Sequence, residues 1–322
     1  MEYQFLAKTL SNFVTRQPIL PYYEEEELFN LLDVDLSTVE EHKLKIPNDW
    51  KLSVKKVPRE IVKQLAICTK KYFASEPWRI GFKNHPLHIA ASNGSLSLCE
   101  HIMDRTANLN PRTDDGHTPF HFAAQKGHLD VCKLFIQVLD DKNPGHYGRY
   151  TPLHIAAKNG HFEICKLILN HVDLKNPEDV NGTTPLHEAA KNGNFHIYEY
   201  IANKVEDKNP AGWNNDTPLH EAADKGFYDV CKYIIDNLDK KNPANDLGFT
   251  PLHNAVGNGH YYISKLIIDN IEDPNPKSND GTSPLILAAK IEDIPLMELI
   301  LESLKRMREK NHFSSYVLEE NE

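Results

Sequence analysis

Two helical patterns of hydrophobic and polar residues alternate along most of the chain. The first is short and starts at a Thr-Pro pair such as Thr151-Pro152, because threonine is a good N-cap and proline suits the first helical position. It places Leu153 and the paired alanines Ala156 and Ala157 toward a core. The second pattern has apolar residues at helical spacing, as in Phe162, Ile164, Cys165, Leu167 and Ile168. A polar loop follows it, so each pair of patterns predicts two helices and a projecting turn.

The double pattern repeats with a constant period of 33 residues. In five of seven units the first helix starts with Thr-Pro-Leu/Phe-His, while His85 and Ser283 take the threonine position in the first and last units. The repeated prolines are Pro86, Pro119, Pro152, Pro185, Pro218, Pro251 and Pro284. A left-handed residue, which glycine adopts at least cost, is expected where most first helices end, for example at Gly160.

This unit resembles the ankyrin repeat, whose motif is Thr-Pro-Leu-His-x-Ala. The resemblance implies an all-α fold: an ankyrin-repeat solenoid of helix-turn-helix units with hairpin loops. We predict seven repeats over residues 85–310 and a polar C-terminal tail over 311–322. A single unit leaves one face of its helix pair uncovered, so the end units need caps. We expect Ile286 and Ile291-Glu292 to cap the last unit, and the charged segment 305–310 to finish its final helix.

Residues 1–84 lack the motif and predict a small helical N-terminal region that caps the first repeat. Helices are expected over 24–32 and 58–73. An alternative interpretation is that 57–73, which begins Val-Pro-Arg-Glu-Ile-Val, resembles the start of an F-box, the module that docks substrate receptors on ubiquitin ligases. An element for oligomerisation or partner binding is a third interpretation.

Composition narrows the class of function. The apolar fraction of 40% suffices for a core, and the net charge of −10 has the wrong sign for binding phosphate backbones. We therefore expect no nucleic acid partner. No stretch approaches the roughly 18 consecutive apolar residues of a membrane span, and the first ten residues do not read as a signal peptide. The expected location is the cytosol, or the nucleus, with no membrane partner.

We predict no enzymatic activity, no cofactor and no metal site. The repeated histidines are roughly 8–10 Å apart in neighbouring helices, whereas ligands of one zinc ion lie about 2 Å from it. His187-Glu188 and His220-Glu221 begin like a zinc-protease motif, but Lys191 and Asp224 stand where the second histidine is required. The repeat cysteines are expected to be buried, reduced thiols. They are Cys99, Cys132, Cys165 and Cys231.

The resemblance implies that a partner binds along a concave face built from the hairpin loops, here called fingers, and the first helices. Large apolar residues are expected to be exposed on the fingers, where aromatic side chains make strong contacts at little entropic cost. The predicted partner-binding residues of the fingers are Tyr147, Tyr150, Trp213, Leu247 and Phe249. Packing of some of them onto a neighbouring finger is the alternative.

The first helices are expected to add an exposed row that changes from apolar to acidic along the repeats. Its partner-binding members are Lys158, Lys191, Glu188 and Glu221. Other positions of the row are Phe122, Ile155, Asn254, Gln125, Asp224 and Gly257. A protein partner with adjacent apolar and basic segments would fit this order, although charged helix faces are often only solvated.

An asparagine precedes a proline in six of the polar turns. In the ankyrin family this asparagine can be modified by an asparaginyl hydroxylase, and Asn110, preceded by Leu109, is the candidate here. Its ordinary role is a hydrogen bond that stabilises the turn.

The function we predict is that of a protein-protein interaction scaffold or adaptor. The alternatives are a substrate receptor of a ubiquitin ligase through 57–73 and a microbial effector that acts inside a host cell. The fold alone names no partner, because repeat arrays of one architecture bind many unrelated ligands.

Overall fold

The computed structural model describes residues 86–104 and 106–319, with side chains through 310. It divides into two compact units, one ending at Tyr147 and the other beginning at Gly148. The predicted N-terminal helices at 24–32 and 58–73, the cap formed by 1–84 and the F-box-like segment lie outside the described residues.

The first unit contains two described helix pairs. Their bounds are Pro86–Ser92 for α1, Leu96–Met103 for α2, Pro119–Lys126 for α3 and Leu129–Val138 for α4. Helix α1 packs against α3, and α2 packs against α4, so equivalent helices of adjacent repeats lie side by side.

The second unit contains five further pairs with the same packing, first helix on first helix and second on second. The first helices are α5 Pro152–Lys158, α7 Pro185–Lys191, α9 Pro218–Lys225, α11 Pro251–Gly257 and α13 Pro284–Lys290. The second helices are α6 Phe162–Leu169, α8 Phe195–Ala202, α10 Tyr228–Asp236, α12 Tyr261–Ile268 and α14 Ile294–Glu319. Every described first helix begins at the predicted proline, which confirms the repeat and the all-α ankyrin fold.

The histidine of the motif fixes each helix start. At α7, the backbone N–H of Thr184 donates to Nδ1 of His187 over 3.1 Å, and the same bond joins threonine and histidine at the starts of α5, α9 and α11. Because Nδ1 accepts this hydrogen bond, the ring is the tautomer protonated at Nε2. The threonine keeps extended backbone angles, with φ −118° and ψ 166° at Thr184, so the helix cannot continue toward the N-terminus.

The other ring nitrogen ties each repeat of the second unit to the next. Nε2 of His187 donates to the carbonyl of Asp216 over 3.1 Å, at the base of the following finger. The equivalent acceptors are the carbonyls of Thr183 for His154, Phe249 for His220 and Thr282 for His253. Burial, the largest effect, lowers the pKa of His187 to about 4 and also lowers the pKa of His220 and His253. These rings are therefore neutral structural bridges near neutral pH.

The second helices supply the apolar side of the core. In α6, Ile164, Cys165, Ile168 and Leu169 are buried at one face of the helix. The thiols of Cys132, Cys165 and Cys231 are buried as predicted, and burial raises the pKa of Cys231 to about 12. These cysteines are inert core residues.

Two expectations need correction. The final helix α14 does not finish within 305–310 but continues to Glu319, because no proline or glycine interrupts it. Ile286, expected to cap the last unit, is 44% exposed. Two fingers have no glycine at the left-handed turn position, and there Arg149 and Asn215 adopt φ of 57°. Asparagine tolerates this conformation, whereas arginine is unusual in it.

Candidate partner-binding surface

The fingers of the second unit are joined by backbone hydrogen bonds. Within one finger, the N–H of Asp179 donates to the carbonyl of Thr183 over 2.9 Å. Between fingers, Val180 donates to Gly148, Asp246 to Asn214, and Asn279 to Leu247, each over 3.0 Å. These bonds join the finger of Gly148 to that of Val180, and the finger of Trp213 to the two fingers that follow it.

The finger that carries Trp213 is built differently from its neighbours. In the finger before it, the Asp179 carboxylate accepts the N–H groups of Asn181 and Thr183, each over 2.8 Å. Gly212 occupies the equivalent position and has no side chain for this purpose. A 3-10 turn over Trp213–Asn215 forms instead, with positive φ at Asn214 and Asn215. This turn projects the indole outward.

Three of the five apolar finger residues are exposed as expected. Trp213 is 70% exposed, Tyr147 is 69% exposed and Leu247 is 58% exposed. The ring of Tyr147 lies over Gly116, so close that a Cβ there would be 2.9 Å from it. An exposed indole or phenol leaves much apolar area that a partner can cover.

Tyr150 and Phe249 do not project from the tips. Both stand two residues before the repeat proline, and both pack on the motif histidine that follows: Tyr150 stacks on His154 with centroids 4.6 Å apart, and Phe249 lies 5.1 Å from His253. Burial and the Glu188 carboxylate raise the pKa of Tyr150. The alternative of local packing therefore describes these two residues better than the expectation that they are exposed.

The first-helix row is also less exposed than expected. Lys158 and Lys191 are exposed, but Glu188 is only 8% exposed and Ile155 is buried as well. Glu188 is covered because Tyr150 folds onto it and because Asn192 Nδ2 lies 3.4 Å from its carboxylate. Glu221 is half-buried and accepts from Lys191 Nζ over 3.1 Å.

A depression of about 330 Å³ lies where the Trp213 finger meets the first helices. It brings together three predicted residues, Trp213, Lys191 and Glu221. Its rim adds Asn181, Thr183, His187 and Asp216. The result is one large apolar side chain beside an ion pair and several hydrogen-bonding groups, a combination suited to anchoring a peptide segment.

Thr183 and Asp216 line this depression, although the sequence pattern does not predict either as a partner-binding residue. Val180 is not among the predicted partner-binding residues either, yet it is exposed at the same repeat position as Trp213. The signal that would have found Val180 is its place five residues before the repeat proline, the position that both Tyr147 and Trp213 share.

A second, larger depression lies on the opposite side of the repeats, along the second helices. Its volume is about 680 Å³, and Phe162, Phe195 and Tyr233 contribute its aromatic wall. Lys232, at its edge, is paired with Asp236 over 2.9 Å. None of the predicted partner-binding residues lines it.

The turn asparagines support the fingers of the second unit. The side-chain oxygens of four of them accept the N–H of the residue ten positions later, at 2.9–3.1 Å. These four are Asn176, Asn209, Asn242 and Asn275. Asn110 differs, because its Oδ1 is buried and accepts no hydrogen bond from any described residue. Its hydroxylation stays a prediction.

Within 86–104 and 106–319, no three histidine, cysteine, aspartate or glutamate side chains come together in a group that could hold a metal ion. In the same residues, no helix has the length and apolar character needed to cross a membrane.

The ankyrin-repeat family model, written for three copies, matches the chain in overlapping stretches from residue 52 to residue 312. The first match covers 52–146 and so begins within the predicted N-terminal region. The crystal structure of the human ASB11 ankyrin repeat domain is similar, with a TM-score of 0.57 and 23% identity over 68% of this chain and 98% of that chain. That likeness shows the fold alone. No curated protein matches the chain.

Proposed function

The chain belongs to the ankyrin-repeat family, whose members are typically non-enzymatic interaction modules, and we propose that it is a scaffold or adaptor that binds a protein partner at the depression beside Trp213. The observation that carries the proposal is an indole 70% exposed above a concave site. An exposed indole offers a partner a large apolar contact area at little entropic cost, and tryptophan is enriched among the residues that dominate binding energy.

The groups around Trp213 define the chemistry of the partner. Asp216 and Asp246 lie on this finger and the next, and no described lysine or arginine forms an ion pair with either. The only described salt bridge at the depression is Lys191–Glu221, which is exposed enough to rearrange. A segment with an apolar side chain next to an arginine or lysine fits this arrangement.

The fingers keep the site in place before the partner arrives. Asn245 Nδ2 donates to the Asp216 carboxylate over 2.8 Å, and the bond from Asp246 to Asn214 fixes the other side of the Trp213 turn. A preformed site loses less conformational entropy on binding than a mobile loop does.

The test uses the full chain as bait in affinity capture, read by quantitative mass spectrometry. We compare wild type with Trp213→Ala and with Tyr262→Ala, which removes another exposed aromatic residue, on α12, away from the fingers. Proteins that depend on the proposed site should fall about tenfold or more with Trp213→Ala. They should be retained with Tyr262→Ala.

Melting temperatures of the three baits exclude unfolding as the cause of a loss. A captured set that is identical for wild type and Trp213→Ala would contradict the proposal. Tyr147→Ala, tested as a separate bait, asks whether the exposed tyrosine of the first unit contributes on its own.

A further inference from the structure

The last repeat exposes residues that the preceding repeats bury. Leu301 stands 17 residues after its repeat proline, and it is 49% exposed. In the second unit the residues at this position are at most 5% exposed. They are Leu169, Ala202, Ile235 and Ile268. The difference arises because each of those residues is covered by the repeat that follows.

The first helix of the last repeat shows the same difference. Ile286 occupies the place of the motif histidines, all of which are at most 4% exposed in the second unit, yet it is 44% exposed. Ala289 is exposed, whereas Ala157, Ala190 and Ala223 at its position are fully buried.

A terminal repeat that faces water needs polar residues at these positions. The last repeat is instead more apolar at these positions, because Ile286 replaces a polar histidine and Leu301 and Ala289 stay apolar. We call the exposed surface made by Ile286, Ala289, Ile294 and Leu301 the end face. Ile294, at the start of α14, is 64% exposed. Ile286, Ala289 and Leu301 therefore give the end face the composition of a buried interface between repeats.

The charges on α14 indicate what covers the end face. Glu298 lies one turn before Leu301 and Lys305 one turn after it, so all three share one face of the helix. Both charged side chains are exposed, and neither forms an ion pair with a described residue. They are seven residues apart, about 10 Å along the axis, which is too far for them to pair with each other.

We propose that the end face binds the end face of a second copy of this chain, with the two α14 helices antiparallel. A two-fold axis near Leu301 sets the two leucines against each other. It also sets Glu298 of each copy opposite Lys305 of the other, since the two residues are almost equally distant from Leu301 along the helix. The inference does not depend on the proposed function, because the end face and the fingers share no residue.

The experiment measures the mass of the full chain by sedimentation velocity from low to high micromolar concentration. Wild type should pass from monomer to dimer as concentration rises. Leu301→Asp should raise the dimer dissociation constant about tenfold or more, since it places a charge in an apolar contact. Trp213→Ala, on the fingers, is the control and should leave the dimer unchanged.

Charge reversal tests the antiparallel arrangement without disturbing any buried group. Glu298→Lys alone and Lys305→Glu alone each place like charges together and should weaken the dimer. The double variant Glu298→Lys with Lys305→Glu restores opposite charges and should restore the dimer. A wild-type monomer at every concentration, or a dimer unaffected by Leu301→Asp, overturns the proposal. Failure of the double variant to recover overturns the antiparallel pairing.

Discussion

The motif histidines and the finger tips of the same repeats differ in burial and in how much they vary from repeat to repeat. His154, His187, His220 and His253 are buried, and both ring nitrogens of each are engaged in hydrogen bonds. The tip residues five positions before each proline are exposed and chemically different from one repeat to the next. In the second unit they are Val180, Trp213, Asp246 and Asn279. The residues that repeat build the stack, and the residues that do not repeat give each finger its own chemistry.

Replacing a motif histidine should have the largest effect on stability. In His187→Ala, the N–H of Thr184 and the carbonyl of Asp216 lose their partner and a cavity opens, so unfolding should become easier by about 3–4 kcal/mol. Urea denaturation measures this change. His196→Ala, an exposed histidine on α8, is the matched control and should stay within about 0.5 kcal/mol of wild type. An equal loss of stability in the two variants would contradict the distinction between buried motif histidines and exposed histidines.

Acidification should act on the same histidines. The pKa values of His187, His220 and His253 are lower in the folded chain than the ordinary value of about 6.5, so the unfolded chain binds more protons between that value and the folded one. Stability should therefore fall as the pH drops below about 6.5, by roughly 2 kcal/mol at pH 5 from His187 alone. Urea midpoints across this range test the expectation, and a flat profile would contradict it.

Replacing either of two glycines with alanine should change the stability of the fold, in opposite directions for the two. A Cβ on Gly212 would lie 2.8 Å from Nε2 of His187, a ring held at both ends, so Gly212→Ala should cost about 1–2 kcal/mol. A Cβ on Gly257, in helix α11, meets only Leu287 at 3.7 Å. Gly257→Ala should stabilise by about 0.5–1 kcal/mol, because alanine favours the helix. Thermal unfolding of both variants checks the two signs.

The tip residues should have the smallest effect on stability. Trp213→Ala should change the free energy of unfolding by no more than about 0.5 kcal/mol, since the side chain packs against little of the protein. A loss of about 2 kcal/mol in chemical denaturation would mean that the indole packs onto the fold and is not available to a partner.

The repeat was predictable because its signals are local. Each described first helix begins at the expected proline, and the cysteines are buried where the helical spacing placed them. Whether a finger side chain points into solvent or packs on a helix could not be predicted from its sequence neighbours. Tyr150 and Tyr147 lie three residues apart on one finger, yet one stacks on a histidine and the other is exposed, because only the position two residues before the proline faces the next helix.

Burial of a side chain by a residue from another repeat could not be predicted from the sequence either. Glu188 and Glu221 share a repeat position and a residue type, but Tyr150 folds over Glu188 and leaves it buried, while Glu221 stays half-buried beside Lys191. The sequence also suggested Ile286 as a cap, whereas its exposure shows an uncovered apolar surface.

Site-specific cross-linking tests the binding surface most directly. A photoreactive amino acid replaces Trp213 in one full-length chain and Tyr262 in another, and both are irradiated in the same lysate. Proposed binding at the fingers predicts that position 213 yields a defined cross-linked protein and that position 262 does not yield it. The absence of any defined cross-linked protein at position 213, or the same cross-linked proteins at positions 213 and 262, would contradict the account.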